Sequence, residues 1–280
     1  MTHAALRFLR LALPALLLAT ALVAEDKPQA KKEGPIQDNS FLIEEAYNQE
    51  VGIVQHINTF TRYQDSKDWV YTFTQEWPFG SQAHQVSFTL PYQRLGASLD
   101  GKQGFGDVAL NYRYQLLGDG DALVAISPRL SVILPTGDAK TGYGRGALGL
   151  QVNFPVSWVL NDSFAAHTNI GATHTPRAQN PLGERASTQD LMLGQSLIWL
   201  VNPRFNVMLE HVHTGAQAVA GPGQTERQTA TYLSPGIRWA YNFPSGLQIV
   251  PGLAFPIGVG ASKGEKAVFL YLSFEHPFKK

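Results

Sequence analysis

Apolar and polar residues alternate strictly through segments of about ten residues, and this pattern limits the fold more than any other feature of the sequence. The clearest segment runs from Asp107 to Leu116, where every second side chain is apolar and those between are polar or small. A period of two is that of a β-strand, whose successive side chains point to opposite faces of the sheet. One face of such a sheet requires lipid or a protein core, and the other is suited to water.

About a dozen such segments follow Val51, and no helical periodicity interrupts them. Residues that favour turns, mainly Gly, Pro, Asn and Asp, separate the segments. They lie near residues 51–63, 68–78, 84–94, 105–117, 121–135, 147–160, 163–175, 190–201, 204–214, 227–242, 246–258 and 267–278. We therefore predict an all-β fold, an antiparallel transmembrane β-barrel of about 12 strands, over residues 51–280.

The connections between segments alternate in length. Short ones lie at residues 81–83, 118–120, 161–162, 202–203 and 244–245, and longer polar ones at 95–104, 136–146, 176–189, 215–226 and 259–266. Outer-membrane barrels have short periplasmic turns and longer external loops, whereas a soluble β-sandwich leaves the asymmetry unexplained. The alternation predicts a barrel in the outer membrane of a Gram-negative bacterium, with both termini in the periplasm.

Large aromatic residues fall near the ends of the strands that this topology directs towards the periplasm. Each lies on the face predicted to contact lipid, and rings of this kind collect at membrane interfaces. The predicted periplasmic-interface aromatics are Trp77, Tyr114, Trp158, Trp199, Trp239 and Phe274. Trp69 is predicted at the opposite interface. The last strand closes on Phe278, a terminal aromatic of the kind that barrel-assembly machinery recognises, although two lysines follow it.

Residues 1–24 are predicted to be a secretory signal peptide, in which two arginines precede the apolar run from Leu11 to Val23. Cleavage after Ala21 and cleavage after Ala24 both fit. An uncleaved anchor is the alternative, but the apolar run is shorter than the ~20 residues that a helical span needs. Residues 25–50 are predicted to be a periplasmic N-terminal segment, and its part up to Ser40 has too few apolar residues to order itself.

Composition excludes several other classes of protein. The chain has 22 basic and 22 acidic residues, so it lacks the basic field of a nucleic-acid-binding protein. It has no cysteine, which excludes disulfide and zinc-thiolate frameworks. Only 16% of its residues are charged while 44% are hydrophobic, a mixture suited to a wall between lipid and water.

Two stretches resemble a known family: GFGDVALNYRYQL (104–116) and PRLSVILPTGDAKTGYGRGALGLQVNFPVSWVL (128–160), followed by HTNIGATH. They are similar to the outer-membrane β-barrel family labelled as transporters of the meta-pathway of phenol degradation. The resemblance is strongest over residues 104–175, and it implies the fold and the location but no agreed substrate or binding residue. The stretch FLIEEAYNQE (41–50) is also similar to this family, and two interpretations are open: a small plug or a simple lead-in to the first strand.

A barrel of about 12 strands lies between eight-stranded barrels that side chains fill and sixteen-stranded porins with open aqueous pores. We therefore expect a narrow channel or a ligand tunnel. Strand parity predicts that the lumen is lined by Asp107, Asn111, Arg113, Arg129, Gln151, Asn153, His167, Glu210, Arg238 and Glu275. A hairpin that turns near Gly120 would place Asn111 opposite Arg129 and Arg113 diagonal to it. This basic patch would either select solutes by charge or form a structural salt-bridge network with nearby acids.

Other chemical motifs are weak. Gly144-x-Gly146-x-x-Gly149 matches a dinucleotide fingerprint, but no helix follows it. His211 and His213 share a face, but the sequence fixes no third metal ligand beside them. His167 and Asn169 could belong to a Ser-His-Asn site, but no serine lies at a spacing that indicates one. We predict no catalytic residue, no metal and no cofactor.

The favoured function is a passive channel for small organic compounds, aromatic or hydrophobic ones as the family label suggests. A general small-solute porin and a surface protein with a filled barrel are the alternatives. The expected partners are the lipid bilayer, the assembly machinery and a small-molecule solute.

Overall fold

The computed structural model describes residue 36 and residues 38–96, 101–120 and 122–278. Within these residues, twelve antiparallel strands form a closed barrel, which confirms the predicted fold class. The strands are Ile53–Tyr63 (β1), Trp69–Phe79 (β2), Ser81–Arg94 (β3), Val108–Tyr114 (β4), Val124–Ile126 with Arg129–Leu134 (β5), Gly149–Asn161 (β6), Phe164–Gln179 (β7), Arg185–Asn202 (β8), Phe205–Gly221 (β9), Gln224–Trp239 (β10), Gln248–Ala254 with Ile257–Gly258 (β11) and Ala267–Pro277 (β12). The predicted signal peptide lies outside the described residues.

The barrel closes between its first and last strands. β1 pairs with β12 along its whole length, from Ile53 opposite Pro277 to Tyr63 opposite Ala267. β10 pairs with β11, and β11 with β12, so every one of these twelve strands has a neighbour on both sides. Closure leaves no unpaired strand edge, as a bilayer requires. No helix in the described part of the chain is long and apolar enough to cross a membrane.

The two faces of the wall have the polarity of a membrane protein. Leu150 and Phe154 of β6 are 48% and 50% exposed on the outside, while Asn153 between them is 1% exposed on the inside. A soluble β-sandwich would bury the apolar side chains and expose the amide. The inverted arrangement therefore indicates a barrel whose outer face contacts lipid.

Two predicted long loops are instead strand. β7 continues to Gln179 and β8 starts at Arg185, so only a short turn remains of the predicted loop 176–189. In the same way β9 reaches Gly221 and β10 starts at Gln224, within the predicted loop 215–226. The first stretch is mainly polar on both faces and the second is rich in Ala and Gly, so neither shows a clear period of two. Pairing of the two arms satisfies their backbone groups without an apolar face.

Candidate functional site

Residues 38–50, which we call the inner segment, lie inside the barrel. Their contacts with the wall follow the strands in order round the interior, from β12 and β10 through β9, β7 and β6 to β4 and β3. Sequence alone suggested that the part up to Ser40 could not order itself. The wall orders it: Ser40 donates to Ser196 of β8 over 2.9 Å, and the carboxylate of Asp38 accepts from Ser273.

Every second backbone N–H over residues 42–48 of the inner segment donates to a polar side chain of the wall. The bonds run from Leu42 N to Glu210 Oε1 (2.9 Å), Glu44 N to Asn169 Oδ1 (3.0 Å), Ala46 N to Ser157 Oγ (2.8 Å) and Asn48 N to Gln115 Oε1 (2.9 Å). Two of the amides also donate back, Asn169 to the carbonyl of Glu44 and Gln115 to that of Ala46, each over 2.7 Å. The wall side chains thus replace the neighbouring strand that an extended chain would otherwise need.

The two ends of the inner segment meet at one wall residue. Gln55 of β1 accepts from the amide of Gln49 over 2.7 Å and donates to the carboxylate of Asp38 over 2.9 Å. Asp38 also accepts from Tyr271 on β12. The segment is therefore a ring that follows the inner wall and closes on β1.

The predicted lumen arginines bind this ring. Arg113 is 3% exposed, and its guanidinium donates to the carbonyls of Glu45 and Tyr47 and to the side chain of Asn48. Arg238 is 1% exposed and donates to the carbonyls of Ile36, Asp38 and Asn39. Because these guanidinium groups satisfy buried carbonyls, they hold the segment in place.

The predicted register of the basic patch was wrong by two residues. Arg113 lies directly opposite Arg129, and Asn111 lies opposite Ser131. Tyr114 N bonds to the carbonyl of Pro128, so the pairing continues towards the turn in the same register. The acid between the two arginines comes from the inner segment: Glu44 lies 2.8 Å from Arg129 and 3.9 Å from Arg113. No wall acid was needed for this network.

The pKa values of two adjacent acids of the inner segment are shifted in opposite directions. Burial raises the pKa of Glu44, but Arg129 and Arg113 outweigh burial and hold this pKa below its ordinary value. Burial, with the nearby Asp38 carboxylate, raises the pKa of Glu45 to about 8. Glu44 is thus the charged partner of the arginines, and Glu45 is neutral at pH 7.

An apolar seat holds the start of the segment. The ring of Phe41 lies 5.6 Å from the rings of both Phe269 and Tyr271. It also lies against Gly252, where an added Cβ would be 2.6 Å from Cζ of Phe41. Inward apolar side chains complete the seat, namely Ile57, Ile198, Met208, Val250 and Ala254. The prediction from strand alternation missed these residues because it considered only polar side chains in the lumen. The glycine at 252, which leaves room for the ring of Phe41, was the one indication in the sequence.

The remaining predicted lumen residues lie as follows. Gln151 bonds Arg129 and Thr173, while Asn153 bonds Glu44 and Asn169. His167 is 4% exposed with Nδ1 2.6 Å from Oγ of Ser157, which also accepts from Ala46 N. Glu210 holds Leu42 N, and Glu275 is 5% exposed beside Asp38 and Glu45. Asp107, which was predicted to line the lumen, precedes β4 and accepts hydrogen bonds from loop 136–146.

A cavity of about 290 Å³ lies on one side of the inner segment. Phe41, Leu42 and Ile43 line its base, together with Met192. Its wall on β1 to β3 carries paired hydroxyl groups, Thr59 with Thr72 at 2.6 Å and Thr74 with Thr89 at 2.9 Å. The chamber therefore combines an apolar base and a hydroxylated wall with the charged side chains of Glu44, Glu76 and Arg129, which also line it. Within the described residues, no group of three or more His, Cys, Asp or Glu is placed to hold a metal ion.

The predicted interface aromatics alternate with inward residues near the strand ends. Trp199 is 49% exposed next to the buried Ile198, and Tyr114 is 41% exposed next to the buried Arg113. Trp77, Trp158, Trp239 and Phe274 hold equivalent positions in their strands. Their depth in a membrane stays a prediction.

Comparison with known proteins agrees with this architecture. A family model described as "Putative MetA-pathway of phenol degradation" matches residues 35–271. The crystal structure of the COG4313 outer membrane channel from Pseudomonas putida F1 superimposes with a TM-score of 0.62 and 16% identity, over 82% of this chain and 97% of that chain. NanC porin gives a TM-score of 0.53 and 10% identity, over 78% and 98%. A search of curated proteins finds no match.

These identities are low, so the likeness to the two structures shows the fold alone, that of outer-membrane channel barrels. The family model is more specific because it covers the inner segment and the wall as far as β12. The chain therefore belongs to the family described as "Putative MetA-pathway of phenol degradation", as its sequence motifs predicted.

Proposed function

We propose that the protein is a passive channel in the outer membrane, through which small organic solutes diffuse, and that the inner segment is a plug that narrows its periplasmic end. The observation that carries this proposal is the chemistry of the wall behind the segment. Much of that wall consists of polar and charged side chains such as Arg113, Asn169 and Glu210, and the segment is what buries them. If the segment moved, water could solvate these polar and charged groups, and only the apolar seat of Phe41 would lose its cover.

The chamber supports a preference for organic solutes. Its base of Phe41, Ile43 and Met192 offers apolar contact, and the threonine pairs offer hydroxyl groups without charge. An organic molecule with an apolar body and a polar group matches the part of the lining that these residues form, beside the charged Glu44, Glu76 and Arg129. This agrees with a family described in terms of phenol degradation. A general porin would instead carry ions and sugars with little discrimination.

The test is single-channel conductance of the refolded protein in planar bilayers. A variant in which residues 36–49 are replaced by a Gly-Ser linker of equal length should conduct more than the wild type, because the lumen loses its ring. A matched control replaces residues 26–34 in the same way and should conduct like the wild type. Each variant is first checked for the shift in gel mobility on boiling that intact barrels show.

The outcomes separate the candidate functions. Block of the current by phenol-like aromatic solutes, but not by sugars, would support the specific channel. Conductance without such block would favour a general porin. If the linker variant is folded but does not conduct, the barrel is filled for another reason and the channel proposal fails.

A further inference from the structure

A second segment narrows the barrel at the end opposite the inner segment. Residues 136–146, which we call the mouth loop, bind Asp107, which precedes β4. Asp107 lies six residues before Arg113, about 20 Å away along an extended strand. Its carboxylate accepts from Gly137 N over 2.9 Å and from Arg145 N over 2.7 Å. One side chain thus clamps both ends of the loop.

The middle of the mouth loop packs on the side of the barrel formed by β3 and β4. Tyr143 is 5% exposed, and its ring lies so close to Gly104 that an added Cβ there would be 2.6 Å from it. Its hydroxyl group donates to the carbonyl of Lys102, and Gln93 of β3 donates to its carbonyl. The loop is therefore a built structure rather than a loose connection.

Arg145 extends from the loop towards β8 and β9. Its guanidinium donates to Thr188 Oγ1 over 3.1 Å, to the carbonyl of Gln217 over 2.9 Å and to Asp190 over 2.8 Å. β8 and β9 lie several strands from β3 and β4 round the twelve-stranded wall. Through Tyr143 and Arg145 the loop thus contacts the wall from β3 on one side to β9 on the other.

We infer that Arg145 and Asp190 set the charge selectivity of the outer entrance, an inference that rests on the proposed channel function. Their side chains are 36% and 25% exposed, so passing solutes meet them. Arg113, by contrast, is 3% exposed behind the inner segment. The pair is balanced in charge, so each partner cancels the other's field. Removing either one leaves the opposite charge at the narrowed mouth.

The test uses a reporter thiol inside the chamber. The chain has no cysteine, so Thr89→Cys, which lines the chamber, supplies a single thiol. Its rate of modification by a cationic and by an anionic methanethiosulfonate reagent, added from the mouth side, measures access through the entrance. Asp190→Asn should speed the anionic reagent and slow the cationic one, and Arg145→Gln should do the reverse, each by about three-fold per unit charge. Asn at 190 can still accept the hydrogen bond from Gln217 N, so this contact between β8 and β9 is preserved.

Two controls make the result decisive. Glu226→Gln removes an acid near the same end, from the exposed arm of β10, and should leave the ratio of rates unchanged. The double variant Arg145→Gln with Asp190→Asn should return the ratio towards the Thr89→Cys parent. Opposite shifts in the two single variants support the inference. An unchanged ratio, an equal effect of Glu226→Gln, or a thiol that neither reagent reaches overturns it.

This experiment does not require solute to cross the membrane. If labelling responds to charge as expected while the folded protein shows no conductance, the entrance is assigned correctly and the channel function fails. If the protein conducts but labelling ignores Arg145 and Asp190, the channel stands and this inference fails.

Discussion

The inner segment and the mouth loop both narrow the barrel, but they are attached in opposite ways. The inner segment is bound by side chains from many strands of the wall, each contributing one to three hydrogen bonds. The mouth loop has both of its ends bound by one carboxylate, that of Asp107, while Tyr143 and Arg145 add contacts with the wall. Distributed attachment tolerates the loss of one partner, whereas concentrated attachment does not. A single substitution should therefore release the loop but not the ring.

Asp107→Ala should have the largest effect. It leaves Gly137 N and Arg145 N without their acceptor, at a local cost of ~2–4 kcal/mol. Trypsin should then cleave after Lys140, which is exposed in the loop, much faster than in the wild type. Boiling-dependent gel mobility should not change, because no strand pairing is lost. Cleavage at the wild-type rate would show that the packing of Tyr143 is sufficient to hold the loop.

Gly252→Ala should displace the start of the inner segment. The new methyl group would overlap the ring of Phe41, at a cost of ~1–3 kcal/mol. Protease Glu-C should cleave after Glu44 or Glu45 faster in this variant, and adding Phe41→Ala should remove the overlap. Gly221→Ala, where the nearest atom would be 3.6 Å from the new methyl group, is the matched control. Equal cleavage in all variants would mean that Phe41 does not position the segment.

The inner segment should bind the wall more weakly as pH rises. The attachment of the mouth loop should have a different pH dependence. Glu45 has a pKa raised to about 8 when docked, so the docked state binds more protons than the free segment between about pH 4.5 and pH 8. The contribution of Glu45 to docking is therefore fully present below this window and is lost as pH rises through it. Asp38 and Glu275 face Glu45 as acids, and Arg113 and Arg238 face it as bases.

Replacing Glu45 by Gln should flatten this dependence, measured as the rate of Glu-C cleavage after Glu44 between pH 5 and pH 8.5. Cleavage at Glu44 is corrected for the enzyme's own pH dependence with an unfolded peptide of the same sequence. If the wild type and Glu45→Gln follow the same curve, Glu45 is not the titrating group.

The smallest expected effect concerns which region faces the cell exterior. On single-Trp variants, an impermeant quencher outside oriented vesicles should reach Trp69, at the mouth-loop end, and not Trp77, Trp158, Trp199 or Trp239. Brominated lipids should place those four at one depth, some ~25 Å from Trp69. The reverse pattern would exchange the two ends, and an absence of lipid contact would refute the outward facing of these rings.

The wall could be predicted from sequence, but its contents largely could not. A period of two is local, so twelve strands and their faces follow from neighbouring residues, as in 107–116. The register between Arg113 and Arg129 could not be derived, because it depends on how the chain turns between Gly118 and Val124. The ring was out of reach because Leu42 and Glu210 are far apart in sequence and nothing local links them. The family resemblance of residues 41–50 was the only hint.

The position of Asp38 has a consequence for biogenesis. Its carboxylate accepts from Gln55 on the first strand and from Tyr271 and Ser273 on the last. Asp38 therefore links, from inside the barrel, the two strands whose pairing closes it. Its binding site is complete only after both strands have met, although the segment that carries it is translated before either of them. The contacts of Asp38 can therefore form only late in assembly, when the first and the last strand have both been placed.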